Sequence, residues 1–442
     1  MSGCCAKGRY LCSMEADQRI VIVGGGFAGL QLAKKLNNKK GFQVTLIDRF
    51  NYHQFQPLFY QVATGGLDAS NISFPLRKVF HNSRNVRIRL DEVTSIDTRA
   101  QLLHTAHGSL PYDELVLATG ADTNFFGNAQ LEAHAFPMKS TVEALQLRHK
   151  LISNFEAWLQ TNDEQERQRL LTVVVVGGGP TGVELSGAIA EMKSYVLPKD
   201  YPEIDFSQMR IILLEGTGKT LAAMSAGSSE KSQRYLQQLG VEVRTNSLLQ
   251  QYDGQRITLQ DGNYIDTALV IWAAGIKGNV PAGIDPALIV RGNRIRVNRY
   301  NQLANLPNVY ALGDVAYMET PRYPNGHPQV ANVAINQAAN LARNWLRYGR
   351  QQQSWQPYEY TDLGSMATVG RNKAVVDVPK PKLHFGGLFA WLVWMFLHLM
   401  LILGVKNKLM VFINWLYNYL TYDQSLRLIF REFDREKKAL PR

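Results

Sequence analysis

Two stretches of the chain repeat one pattern of apolar and polar positions. Residues 19–23, Arg-Ile-Val-Ile-Val, form a β-branched run, which predicts a strand buried on both faces. It runs directly into Gly24-Gly25-Gly26-Phe27-Ala28-Gly29 and an apolar helical stretch over 30–36; a second strand over 43–47 ends at Asp48. The pattern returns at 171–176, followed by Gly177-Gly178-Gly179-Pro180-Thr181-Gly182 and a helix through Glu184, Leu185, Ala188 and Ile189. A strand over 210–214 then ends at Glu215. Further apolar runs end in Thr119-Gly120, in Gly275 and in Gly313-Asp314. Strands alternating with helices predict an α/β fold with two Rossmann-like dinucleotide-binding domains.

Other segments show helical periodicity. Ser140-Thr141-Val142-Glu143 has the spacing of a capping box, opening a helix with Val142, Leu145, Ile152, Phe155 and Leu159 as its apolar face. From 386 to 422 there is no Asp or Glu, and Lys406 and Lys408 carry the full charges. Residues 388–405 are almost wholly apolar, with Trp391, Trp394 and His398; Lys406-Asn407-Lys408 interrupts the run, which resumes over 409–420 with Trp415, Tyr417 and Tyr419. Trp and Tyr prefer the headgroup level of a bilayer, and lysines beside them meet anionic phosphates. A transmembrane helix needs about 20 apolar residues and barely fits; a buried core or dimer helix leaves the aromatic and lysine clustering unexplained. Two helices lying in a membrane surface account for both, and lipid contact and burial in a dimer can be combined.

The glycine motifs carry chemistry. Gly24 allows a tight turn, Gly26 lets the backbone approach a pyrophosphate, and Gly29 lets helix and strand pack closely. The helix N-terminus offers free N–H groups to the phosphates. Asp48 lies 48 − 29 = 19 residues past the third glycine, where a carboxylate reaches a ribose hydroxyl. In the second copy the gap is 215 − 182 = 33 residues, the excess being assigned to a loop over 198–203. An acid there suits the free 2′-hydroxyl of NADH and repels the 2′-phosphate of NADPH, an inference that Lys219 weakens slightly. Two such units call for two dinucleotides; the alternative is one ligand and a degenerate copy.

Composition narrows the choice. At 442 residues, with 45% hydrophobic and 19% charged, the chain is a folded protein of about two or three domains. Its net charge of +11 comes without zinc-finger spacing, an RNA-binding signature or a dense Lys/Arg run, so an anionic membrane face is favoured over nucleic acid. All three cysteines, Cys4, Cys5 and Cys12, lie in a stretch over 1–16 that reads as a disordered extension without signal or transit character. A core disulfide, thiol relay, Cys-ligated zinc or iron–sulfur cluster is therefore excluded, and a reducing cytoplasm fits. No metal-binding histidine spacing occurs, so no metal is expected.

The first glycine motif, Thr119-Gly120 and Gly313-Asp314 together resemble the two-dinucleotide-binding flavoproteins of the disulfide-reductase type. That resemblance implies non-covalent FAD, held by Gly24, Gly26, Phe27, Ala28, Gly29, Asp48, Thr119, Gly120, Gly313 and Ala331, with Asp314 on the ribityl chain. NADH falls to Gly177, Gly178, Gly179, Thr181, Gly182, Glu184, Glu215 and Gly275. The expected organisation is an FAD domain over 17–139 and 285–378, an NADH domain over 140–284, and membrane-anchoring helices over 379–442. Lacking cysteines beside the flavin, the chain is excluded from the disulfide reductases and sulfide:quinone oxidoreductases.

Residues 56–65 (QPLFYQVATG), 177–184, 364–372 (GSMATVGRN) and 406–409 (KNKL) through Asn414-Trp415 closely resemble the type II NADH:quinone oxidoreductases, over about 18–430. The resemblance implies a peripheral homodimer on the cytoplasmic face of a bacterial inner membrane, passing electrons from NADH through FAD to quinone without proton pumping. A soluble reductase of a protein acceptor and a membrane-associated NADH-sensing flavoprotein are the alternatives. Pro328 is well placed to open a helix through 331–337, whose N-terminus faces the flavin in this superfamily. The family has Ala-Gln-x-Ala-x-Gln there; this chain has Asn332 and Asn336, each a methylene shorter. These two and Gln337 are the candidate quinone contacts, by way of a bridging water, a shifted head group or Gln337 itself. Glu184 matches the family glutamate proposed to assist quinone protonation.

Overall fold

The computed structural model describes residues 17–349 and 351–429. The extension with its three cysteines lies outside the described residues. The chain divides into two compact units, each assembled from separate stretches.

The first unit takes residues up to Asn51, Leu76–Gly120 and Gly278–Tyr360. Its sheet has a parallel core in the order Val86–Leu90, Phe42–Asp48, Gln18–Val23, Glu114–Leu117 and Leu306–Ala311. The β-branched runs are buried on both faces because helices or further strands cover the sheet. Ile22, for instance, pairs with Leu46 on one side and Val116 on the other, and all three are fully buried. Short antiparallel strands at 302–303, 294–297 and 289–290 continue the sheet past Leu306–Ala311. Helices Phe27–Leu36 and Ala331–Tyr348 pack together, with Ala28 and Ala334 meeting at Gly313.

The second unit takes Tyr52–Pro75, Ala121–Lys277 and the chain from Thr361 on. Its five-stranded parallel sheet runs Phe136–Pro137, Leu269–Trp272, Thr172–Val176, Arg210–Leu214, Val241–Arg244. Residues 52–75, 121–139 and 361–378 thus group with the second sheet, whereas the sequence reading gave them to the first domain. For the last of these stretches the reason is visible at Gly187. The strand Ser365–Gly370 lies so close to helix Pro180–Tyr195 that a Cβ at Gly187 would stand 1.7 Å from the Val369 carbonyl oxygen.

Several local expectations are corrected. Helix Thr141–Gln160 is capped by Ser140, whose Oγ accepts from Glu143 N, but Glu143 reaches back to Lys139 N rather than to Ser140. Its buried face is Ala144, Leu147, Leu151, Ile152 and Phe155; Val142 and Leu159 are exposed. The loop expected over 198–203 begins inside a short helix, Leu197–Asp200.

At the C-terminus stand two helices, Leu388–Leu401 and Val405–Thr421. The break falls at Gly404, at φ +79°, and not at Lys406-Asn407-Lys408, which lie in the first turn of the second helix. Charge does not stop a helix; the positive-φ glycine does. Lys408 Nζ bonds the Met400 carbonyl, satisfying one of the last acceptors of the first helix. Among the described residues no helix is long and apolar enough to cross a membrane. The 14 residues of the first span about 21 Å, against a hydrocarbon thickness of about 30 Å.

Candidate functional site

Both glycine loops are built alike. Gly24, at φ +105°, lies so near the end of the neighbouring strand that a Cβ would meet Ala118 O at 2.2 Å; Gly177, at φ +111°, repeats this with Ala273 O at 2.6 Å. A Cβ on Gly29 or Gly182 would strike the carbonyl of Gly24 or Gly177 at 1.9 Å. A Cβ on Gly26 or Gly179 would meet nothing within 4 Å. These two glycines start helices with no side-chain cap, so each helix N-terminus opens on the space beside its glycine. That arrangement fits a dinucleotide pyrophosphate at each loop.

The two acids also behave alike. Asp48 Oδ2 accepts from Gly25 N at 2.5 Å and Oδ1 from Phe50 N at 2.7 Å. Glu215 Oε2 accepts from Gly178 N at 2.6 Å and Oε1 from Thr217 N at 2.7 Å. Burial raises the Asp48 carboxyl above its usual range, against the pull of its two N–H donors. Each acid therefore fastens the middle glycine of its loop while standing at the strand end where a ribose would lie. Phe27 and Ala28 open the first helix and Thr181 the second. Thr119 Oγ1 donates to Asn279 O at 2.5 Å, Asn279 N returns a bond to Gly120 O, and Gly275 O accepts from Asn124 N.

The Gly313-Asp314 turn is held from the helix beside it. Gln337 is buried and its Oε1 accepts from Gly313 N at 2.7 Å, while Gln329 Nε2 donates to Asp314 O. Gln337 thus holds the Gly313-Asp314 turn, and its Oε1 is engaged there. The helix begins at Ala331 after Val330, with no side-chain cap; Pro328 lies outside it, its carbonyl accepting from Val330 N. Asn332 and Asn336 share a face as expected, and they are joined by one bond: Asn336 Nδ2 donates to Asn332 Oδ1 at 2.6 Å.

Glu184 lies on the helix that the second glycine loop opens, and lines a cleft of the second unit enclosing about 860 Å³ including its open mouth. Four stretches line it: Tyr60 to Gly66, helix Pro180–Tyr195, Thr368 to Arg371, and the two C-terminal helices with the turn after them. Glu184 is 8% exposed and accepts from Thr368 N at 3.3 Å. Burial pushes its carboxyl up to about 8, because a charge there has little else to stabilise it. The buried Trp394 indole N–H lowers that carboxyl's pKa a little, yet reaches no acceptor at hydrogen-bond geometry and is left unpaired. His398 stacks on Trp394 at 4.0 Å, and its Nδ1 lies 2.8 Å from the Trp394 carbonyl.

A second set of bonds fixes the opposite wall. Trp415 Nε1 donates to Gln61 Oε1 at 2.7 Å, and Gln61 Nε2 donates to the Tyr60 hydroxyl at 2.7 Å. Burial, then the charge of Glu184, holds Tyr60 well above the usual phenol range, so its hydroxyl keeps its proton. Arg371 bonds the Asn418 carbonyl, its guanidinium 3.4 Å from the Tyr422 ring centroid and 4.6 Å from that of Tyr419. The sequence alone gives no role to Tyr60, Gln61 or Arg371. Tyr60 and Arg371 do lie in the stretches over 56–65 and 364–372 that carried the resemblance.

The chain as a whole defines a pyridine-nucleotide flavoprotein of two dinucleotide-binding units: the model of the pyridine nucleotide-disulphide oxidoreductases matches residues 18–338, and that of the NDH2 C-terminal domain matches 363–422. The type II NADH:quinone oxidoreductase Ndh of Mycobacterium tuberculosis is 36% identical over 419 residues, covering 91% of this chain and 88% of that one. The type II NADH:quinone oxidoreductase of Haemophilus influenzae is 27% identical over 81% of this chain and 86% of its own. The fold is that of the NDH2 of Plasmodium falciparum solved in complex with NADH, with a TM-score of 0.83 at 20% identity over 94% of this chain and all of that chain. This chain belongs to the type II NADH:quinone oxidoreductases.

Proposed function

We propose that the protein carries out NADH + H⁺ + quinone → NAD⁺ + quinol, with the quinone head group in the cleft of the second unit. The unpaired, buried N–H of Trp394 carries this reading: a quinone carbonyl is an acceptor of the right kind for it. Beside it, Glu184 holds a proton near neutral pH, as an oxygen gaining electrons requires. Asp48, Gly26, Asp314 and the uncapped starts at Phe27 and Ala331 hold FAD; Gly179, Thr181, Glu215 and Gly275 hold NADH. When bound, FAD supplies the two-electron link between NADH and quinone, which the protein's own groups do not provide. Both oxygens of Glu215 accept backbone N–H groups, keeping the carboxylate where it rejects a 2′-phosphate.

The outer sides of the C-terminal helices give the cleft its surroundings. Trp394 and Trp415 are buried toward it, while Phe389, Leu392, Phe396, Leu409, Leu416 and Leu420 are exposed. An apolar face of that extent, with Lys406 and Lys408 at one end, suits the surface of an anionic bilayer. The protein is a peripheral homodimer on the cytoplasmic face of a bacterial inner membrane, and the reaction moves no protons across it. Steady-state NADH oxidation with and without a short-chain quinone tests the function. Quinone-independent turnover with a protein acceptor, or none with either, would favour the two alternatives read from sequence.

A further inference from the structure

The reaction consumes one proton per turnover. The hydride of NADH brings two electrons and one proton, whereas quinol formation takes two electrons and two protons. Glu184 can give up its proton only if it is reloaded, and it is buried. A second carboxylate lies on the same helix face, 191 − 184 = 7 residues on. Glu191 is half-buried where Glu184 is closed off, and both line the cleft. Between them the wall is Ala188, whose single methyl leaves the cleft open along the helix.

Glu191 Oε1 accepts from Arg371 N at 2.5 Å. Burial raises its carboxyl, while that bond and the charges of Arg371 and Lys373 oppose the rise; Glu184 has no cation acting on it. Tyr60 across the cleft is within electrostatic reach of both carboxylates, and Tyr195 and Tyr422 stand at the Glu191 end. Two helical turns separate the carboxylates by about 10 Å along the axis, too far for direct transfer and open enough for water.

We propose that Glu191 takes up the consumed proton from solvent and passes it, through water over Ala188, to Glu184, which delivers it to the quinone oxygen. This rests on the quinone occupying the cleft. Glu191 is a relay and positioning residue that does not itself touch quinone.

The test uses the FAD-loaded full chain with Glu191→Gln, Glu191→Asp, Ala188→Leu and Trp394→Phe. Flavin absorbance by stopped flow reads reduction by NADH and reoxidation by a short-chain quinone. Infrared spectra across about pH 5 to 9 read the protonated carboxyls. Expected for Glu191→Gln is a fall of about tenfold in the ratio of reoxidation to reduction, an altered pH profile of reoxidation, loss of one carboxyl band, and an unchanged quinone KM. Glu191→Asp restores the ratio and the band, and Ala188→Leu lowers the ratio with both bands intact. A wild-type pH profile in Glu191→Gln, or a raised quinone KM without a changed profile, would overturn the relay. Trp394→Phe separates the two readings: an unchanged quinone KM there means the cleft assignment itself has failed, whereas a raised one leaves the relay judged on Glu191 alone.

Discussion

Glu184 owes its chemistry to what surrounds it. A glutamate on a helix face is unremarkable in sequence, but here its carboxyl keeps one backbone donor and an unpaired indole nearby. Because its folded pKa, about 8, lies above the unfolded value, the folded state binds the extra proton between about pH 4.5 and 8. Stability is therefore lost as pH rises through that window, by on the order of 3–5 kcal/mol for so buried a group. Glu184→Gln removes the titration, so its melting temperature relative to wild type rises from pH 5 to pH 8, by about 5 °C; parallel curves would refute the burial argument. The same variant slows quinone-driven reoxidation more than reduction by NADH, and equal slowing of both would count against proton delivery. Gln337 tests a different link. Removing its bond to Gly313 in Gln337→Ala leaves a buried N–H unmet, costing about 1–3 kcal/mol. Flavin release on dilution accelerates while quinone KM holds; a change in KM alone would place Gln337 among the quinone contacts.

Elements were legible where backbone geometry dictates residue type. Gly24, Gly29, Gly177 and Gly182 read correctly because a Cβ would strike a carbonyl, and no other residue avoids it. Strands buried on both faces announce themselves as unbroken β-branched runs. The apolar face of Thr141–Gln160 was rotated because Val142 and Leu159 are hydrophobic yet exposed, and hydrophobicity alone does not reveal which stripe meets the core. The lysines that interrupt the apolar run do not mark the boundary between the two C-terminal helices, which falls just before Val405, at Gly404. Gly187 gave no signal, since nothing in the sequence says that a hairpin 180 residues on will press against it. Gly187→Ala forces that hairpin away from helix Pro180–Tyr195 and destabilises the second unit by about 2–3 kcal/mol or more. Denaturant unfolding checks this, and a wild-type midpoint would show that the contact yields.

For the molecule as a whole, the two nucleotide loops could be read from local order, and the cleft could not. Its walls come from residues near 60, 184, 370 and 400, joined only by folding. Trp394 and Trp415 read as headgroup-level aromatics, yet both are buried, and the exposed sides of their helices carry aliphatic and Phe side chains, to which the proposed anchoring role passes. Charging that outer face without touching the cleft, as in Phe396→Asp with Leu416→Lys, lowers binding to anionic vesicles by about tenfold or more, with FAD content unchanged; undiminished sedimentation with vesicles would refute the anchoring face. The central claim is that quinone is reduced in the cleft beside Glu184 and Trp394. The most direct measurement is peptide mapping after photolabelling the FAD-loaded protein with a photoreactive short-chain quinone. Labels on residues 56–66 and 388–424, suppressed by excess quinone, are the predicted result; labels confined to the Asn332–Asn336 segment would contradict it.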